Sequence, residues 1–447
     1  MSRIAYKSNG GTIGDGTRIT RVSGGGQKLE VMVDEKTGRF SEVVLVADAP
    51  AEPEPEPEPP VGPTPPDPDP APPPPDPGPA PIPQPGTPGA AITTETELRT
   101  ALGNAKAGDV LPVAGNFPAI TLSGVKFGGK VTISGAATFE RLMLNGCANL
   151  RLDGLKLMPA GVFVKTGGAT PYLLMGDGAT TDIEVENVDF WGGTDAPNFM
   201  SWTLAQWNAQ KVGAAHFAGQ RIALRNCAAL AVNFGYSAIG SDIEWTDLRI
   251  AGFSGDAFRA NADNLTARGI WATDAYAIDA NHPDAWQAFG TYLGNKTYEL
   301  LHDQILEDAI FMEYSTPTDT RGALGASLQV IGYHNPPYAN IAHRRIVAAT
   351  SSFNAYGNGG ATGYIGEKVM MWTIPGPKGG TTRLRCPLTP VPNMSEIYLD
   401  KYVTGTWPTT GKPDYSKLDA FRVPALRGNV RPDVDSVGWA NWAINHN

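Results

Sequence analysis

Three cysteines in 447 residues, Cys147, Cys227 and Cys386, are too few and too far apart for a disulfide framework or a paired metal knuckle. They read as buried free thiols, and no metal site is expected. The chain has no run of about eighteen apolar residues, so no membrane insertion is expected either. Its start, MSRIAYKSNGGTIGDG, lacks an apolar signal core, which predicts a protein made in the cytoplasm and not exported by the signal-peptide route. Positive charge is missing where negative charge is dense. The formal net charge is −10, and Glu52, Glu54, Glu56, Glu58, Asp67, Asp69 and Asp76 supply most of it within a stretch free of lysine and arginine. What remains is close to neutral and offers no basic face, so no nucleic-acid partner is expected. GGTIGDG and GYIGEK carry glycines but no lysine-serine ending and no following helix pattern. Both read as turns, and no cofactor is expected.

Proline, by contrast, is abundant and concentrated. From Ala49 to about Gly89 nearly every second residue is proline, as in EPEPEPEPP and PDPDPAPPPPDPGP, with no aromatic residue. Such a segment cannot pack a core. Polyproline II at ~3.1 Å per residue would let it separate two folded parts by on the order of 100 Å. Composition therefore divides the chain into a small β attachment module (1–48), an extended linker (49–90), a main body (91–375) and a capping or subunit-contact region (376–447). In the first part GTRITRV, KLEVMV and FSEVVLV alternate polar and apolar residues, with DEKTGR as a turn.

The main body opens with TTETELRTALGNAKAGD, where Thr94 and Glu97 form a capping box. Leu98, Ala101, Leu102 and Ala105 recur at helical spacing before Gly108 ends the pattern. Strands follow, and they repeat. LRLDGLKL at 150, IEVENVDF at 183, IALRNCAA at 222, IEWTDLRI at 243 and LTARGIWA at 265 alternate apolar residues around a small or polar residue at the middle. Intervals near 22, lengthened where loops intervene, suit an all-β solenoid of short strands, and the count also suits a sandwich. Hairpin signals such as Asn-Gly are scarce, which argues against the sandwich.

A capping helix running into AKAGDVLPVAGNFPAITLSG and then into such repeats resembles the right-handed, single-stranded parallel β-helix of the pectate-lyase-like superfamily. The attachment module, stalk and unexported body are similar to phage tailspikes and to head spikes of gene-transfer particles. The resemblance implies a virion-borne homotrimer that binds host capsular or surface polysaccharide, with a capsid or tail protein held by the N-terminal module. It leaves open head or tail attachment, and whether the glycan is cleaved, by a lyase or a hydrolase, or only bound by an adhesin. A purely structural fibre is the other alternative.

Candidate site residues come from three segments, GDAFRAN at 255, PDAWQAF at 283 and EDAIFME at 307, which share Asp-Ala and then a large apolar residue. Read as one strand on three successive tiers, they turn Phe258, Trp286 and Ile310 inward. Arg259, Gln287 and Phe311 then form one outward column, and Asn261, Phe289 and Glu313 a second, as a substrate-binding face for sugar hydroxyls and C–H faces. Alanine at Arg259 and Gln287 is expected to weaken attachment with little change in melting temperature. Asp256, Asp284 and Asp308 read as corner residues accepting backbone N–H bonds. If the chain bends there, Asp256 and Asp284 become a catalytic carboxylate pair. His282, before Pro283 at the end of a longer loop, is the candidate general base. KLDAFRVP at 418 repeats Asp-Ala-Phe-Arg outside the series, so the register carries the argument and the tetrapeptide does not. The insertion containing Trp191, Trp202 and Trp207 reads as a satellite core, with sugar stacking as the alternative. Tyr338 and Tyr356 are weaker ligand candidates.

Overall fold

In the computed structural model the described residues are 17–24, 27–34, 40–47, 90–161, 170–278, 283–290, 292–294, 297–298, 300–313, 324, 328–334, 337–350, 356–358, 363–373, 385–386, 393–399 and 404–405. The chain divides into two compact units, Met1–Ile82 and Pro83–Asn447. In the first, β1 (Thr17–Gly24), β2 (Gln27–Asp34) and β3 (Phe40–Ala47) form an antiparallel meander in the order β1-β2-β3. The bulk of the proline-rich linker, His282 and most of the chain beyond residue 373 lie outside the described residues.

The second unit begins with α1 (Glu95–Asn104). The Thr94 side chain accepts from Glu97 N, and the Glu97 carboxylate returns to Thr94 N at 3.1 Å, which closes the capping box. Leu98 and Leu102 are the buried face of α1 and join the main core.

Strands after α1 pair in parallel. Leu150 aligns with Ile183, Ile183 with Ile222, Ile222 with Ile243, and Ile243 with Leu265. The five repeated segments are therefore stacked in one register, with their apolar residues in the core. The small or polar residue at the middle of each segment has a structural cause. Gly154, Asn187, Asn226, Asp247 and Gly269 all adopt positive φ, between 50° and 69°; the strand stops at the first two and runs on through the other three. Glycine, asparagine and aspartate tolerate that conformation best. A parallel column of left-handed residues five positions earlier includes Asn149, Asp182, Asp242, Asn264, Asp303 and Asn340.

These bends overturn the architecture that the resemblance implied. A right-handed single-stranded parallel β-helix is built of short strands on separate sheets. Here Tyr236–Phe253 and Phe258–Ala275 each continue for 18 residues through their bends. The ladders merge into one twenty-stranded sheet that closes as a seven-strand parallel barrel with further strands outside it.

One polar network crosses the apolar interior. Tyr333 Oη lies 3.2 Å from Trp286 Nε1, 3.2 Å from Gln304 Oε1 and 3.0 Å from His343 Nε2, and His343 Nδ1 is 3.0 Å from Tyr364 Oη. Its protons can be ordered. The Gln304 amide donates to Ala260 O and Ala262 O, so its oxygen must accept the single Tyr333 proton. His343 Nε2 then donates to Tyr333, and Nδ1 accepts from Tyr364. Burial pushes the His343 imidazole down to about 3, in keeping with this neutral tautomer.

Candidate functional site

The site is built on the outer face of one ladder. Met175, His216, Ser237, Arg259, Gln287 and Gly332 are successive partners in parallel register. Arg259 beside Gln287 is the pair that the two Asp-Ala segments predict, and Phe258 and Trp286 beneath them are fully buried. The third tier differs from the sequence expectation. Residues 329–334 follow Asp284–Phe289 in the ladder, so Gly332 stands where Phe311 was expected and His334 where Glu313 was. Asp308–Met312 instead continues the neighbouring ladder, Ile310 pairing with Trp271 and Phe311 with Ala272. Phe311 is fully buried in the core. Glu313 is also fully buried, and it accepts from Leu328 N at 3.3 Å and Thr350 Oγ1 at 3.2 Å. Neither is a ligand-facing residue. The repeat of letters at 307 misled because a tier of different composition, QVIGYH, intervenes and carries no Asp-Ala.

The chain does bend at Asp256, which lies outside the strand that begins at Phe258. Its carboxylate meets Arg259 three residues ahead, whose Nε donates to Asp256 Oδ2 at 2.6 Å. Asp284 repeats the arrangement one tier on, with Gln287 Nε2 donating to Asp284 Oδ2 at 2.6 Å. The corner-only reading is thus incomplete, since both carboxylates are bound by side chains three residues ahead. Ala257 N donates to Asp284 O at 2.8 Å, which ties the two tiers together directly below the carboxylates. Both aspartates are essentially inaccessible, at 1% and 0%. Asp256 Oδ1 has no hydrogen-bond donor among the described residues. Burial raises the Asp256 carboxyl to about 6; Arg259 lowers it and the neighbouring Asp284 raises it further.

Above this pair lies a shelf of half-exposed groups. The Arg259 guanidinium is stacked 3.8 Å over the Phe234 ring. Tyr172 flanks it, close to His216 with ring centroids 5.1 Å apart, and Gly213 must be glycine because a Cβ there would meet the Tyr172 ring at 2.4 Å. His216 Nδ1 is 3.0 Å from Ser237 Oγ; burial, helped by Arg259, pushes its imidazole down to about 4, so it is neutral at physiological pH. On the other side His334 Nε2 is 3.7 Å from Asp284 Oδ2, an ion-pair distance beyond a hydrogen bond. Asp284 raises the His334 imidazole above its ordinary value. A Cβ at Gly332 would lie 2.7 Å from His334 Nε2, so the absence of a side chain there is what lets the imidazole fold back.

Beside that column stand Ile239, Asn261, Phe289 and His334. Ile239 is 41% exposed and Phe289 half-buried. Asn261 is largely buried, and its oxygen accepts from Phe289 N at 2.9 Å, which makes it a strut between tiers and not a ligand contact.

No family model, curated protein or solved structure matches this chain. The shelf is therefore interpreted from its own chemistry. Sequence reasoning missed Tyr172, His216, Ser237, Phe234 and His334, because their membership depends on register across tiers 21 to 45 residues apart. His334 follows Gly332 within a strand that shares no motif with its neighbours. Among the other candidates, Trp202 and Trp207 are buried with Phe199 and Tyr276 in a satellite core, Trp207 stacking on Tyr276 at 4.5 Å. Trp191 lies under Lys156 Nζ at 3.7 Å. Tyr338 is buried and donates to Ala288 O at 3.1 Å, while the Tyr356 side chain is outside the described set. Among the described residues no helix is long and apolar enough to cross a membrane.

Proposed function

We propose that this chain is the glycan-binding spike or fibre protein of a phage-like particle, with the Arg259–Gln287 shelf as its contact with host capsular or surface polysaccharide. The observation that carries this reading is the mixture on one sheet face: a guanidinium stacked over a ring, an amide, an imidazole, and the apolar side chains of Ile239 and Phe289. A sugar chain presents hydroxyls at its edge and C–H groups on its faces, and this set matches both. The N-terminal meander as the attachment to a capsid or tail protein, the particle location and a trimeric assembly belong to the same proposal.

Binding stands before cleavage in this reading because Asp256 and Asp284 lie beneath Arg259 and Gln287. A glycosidic oxygen reaches them only if those side chains swing aside. Hydrolysis stands ahead of elimination as a second activity because two buried carboxylates lie on adjacent tiers, and burial raises the Asp256 carboxyl as a general acid requires.

The test uses the full chain and immobilised surface polysaccharide from candidate host bacteria. Ile239→Asp places a charge at an exposed apolar position and should weaken binding at least about tenfold, or ~1.4 kcal/mol, without lowering the melting temperature. The double variant Asp256→Asn, Arg259→Gln keeps the shape of the pair and should do the same. Unchanged binding in both variants refutes the shelf. Release of reducing ends marks a hydrolase, and release of unsaturated uronates a lyase.

A further inference from the structure

Among the described residues, two ion pairs on this shelf, Asp256–Arg259 and Asp284–His334, join a fully buried carboxylate to a partly exposed cation. In Arg225 with Glu244 and Arg221 with Asp182, by contrast, both partners keep substantial exposure. In Asp256–Arg259 the carboxylate side chain is 2% exposed and the guanidinium 26%, so one partner is locked into the protein and the other reaches out of it. Asp256 uses one oxygen for Arg259 Nε, and its second oxygen has no donor among the described residues. Asp284 precedes Gln287 as Asp256 precedes Arg259, and Arg259 pairs with Gln287, so the two aspartates stand on adjacent tiers. A second carboxylate on the adjacent tier, in a dry environment, opposes ionisation of Asp256.

We propose that protonation of Asp256 is a latch on the ligand shelf: the ionised carboxylate clamps Arg259 over Phe234, and the protonated one releases the guanidinium to an anionic group of the bound glycan. The proposal rests on the binding reading above and adds its regulation and its ligand preference. An acidic polysaccharide is then held more tightly in weakly acidic surroundings than at pH 7.5. Among the described residues the titratable groups facing the latch are Asp284 and His334 from the tiers ahead, and Tyr172 and His216 from those behind. His216 is neutral throughout the relevant range, and Tyr172 is shifted upward by burial, so neither changes charge there. His334 gains charge in the same direction as Asp256 loses it, which makes the shelf more cationic as pH falls.

The guanidinium itself reports on the latch, independently of any ligand. In full-length protein labelled with 15N-arginine, the Arg259 Nε–H resonance is assigned by its loss in Arg259→Lys and followed from pH 7.5 to 5.0. It should titrate with a midpoint near 6, and its exchange with solvent should accelerate about tenfold or more on the acid side. In Asp256→Asn the resonance should be fixed and fast-exchanging at every pH. In Asp284→Asn, which removes the neighbouring like charge, the midpoint should move down by about one unit. A wild-type resonance that neither shifts nor changes exchange over this range overturns the latch, as does an unaltered titration in Asp284→Asn. Polysaccharide binding measured at the same pH values separates the two ideas. Loss of binding at every pH removes the glycan reading and leaves the titration standing, whereas pH-independent Nε–H behaviour removes the latch and leaves binding untouched.

Discussion

The Tyr333 hydroxyl serves three partners at once, Trp286, Gln304 and His343, in the middle of an apolar interior. Removing it in Tyr333→Phe leaves an indole N–H, an amide oxygen and an imidazole N–H without partners. Each buried orphan costs about 1–3 kcal/mol, so calorimetry should show a loss of roughly 3 kcal/mol or more despite the gain in apolar character. Arg259 behaves differently from the sequence expectation for the same kind of reason. Alanine there strands the buried Asp256 carboxylate, so Arg259→Ala should lower the melting temperature clearly, by the several kcal/mol typical of breaking a buried pair. Near-wild-type melting of that variant would contradict the burial of Asp256.

Asp256 also gives a signed pH prediction. Its carboxyl is raised from 3.8 to about 6, so its contribution to stability is full below the unfolded value and is lost as pH rises through 6. Wild type should gain about 1 kcal/mol relative to Asp256→Asn on going from pH 7.5 to 5. His343 opposes this: depressed to about 3, it contributes stability that is present above 6.5 and lost as pH falls toward 3. The comparison therefore has to be the difference between wild type and variant melting curves, not either curve alone.

At the scale of the element, three long strands pass through Asn226, Asp247 and Gly269, residues that bend them. Asn226 has φ 50°, and its side-chain amide donates to Asn187 Oδ1 at 2.6 Å in the next tier. Asn226→Gly keeps the conformation and loses only that bond. Asn226→Val forces a β-branched residue into the left-handed region and should cost about 1–2 kcal/mol more than glycine in chemical denaturation. Equal effects would mean that the bend is not what the asparagine supplies. These bends were visible in the sequence as the small or polar residue at the centre of each repeat, and the register of five segments was legible from their apolar alternation. The sixth was not. After Leu265 the aligned apolar column continues through Gln304, a polar residue that the interior accepts because two carbonyls and Tyr333 satisfy it. Alternation has no means of announcing such a position. The same limit explains the misplacement of Phe311 and Glu313, since identical Asp-Ala letters occupy different ladders.

For the whole molecule, the two compact units make a direct prediction. Removing residues 1–82 should leave the cooperative unfolding of the remainder unchanged within about 2 °C, because the second unit has its own continuous core, capped by Leu98 and Leu102 of α1. A large drop in melting temperature would show that the first unit supports the second. The sequence by itself determined the division into a small β part, a proline-rich span and a strand-rich body, the capped helix that opens the body, and the pairing of Arg259 with Gln287. Composition and local periodicity are enough for these, because each depends on residues close in the chain or on a repeat of fixed length. Tertiary structure alone decided that the ladders merge into a closed barrel, that Asp256 and Asp284 turn back toward the side chains ahead of them, and that Tyr172, His216 and His334 complete the shelf. Those outcomes depend on left-handed bends within long paired strands and on contacts between tiers separated by loops of unequal length, so no local pattern encodes them.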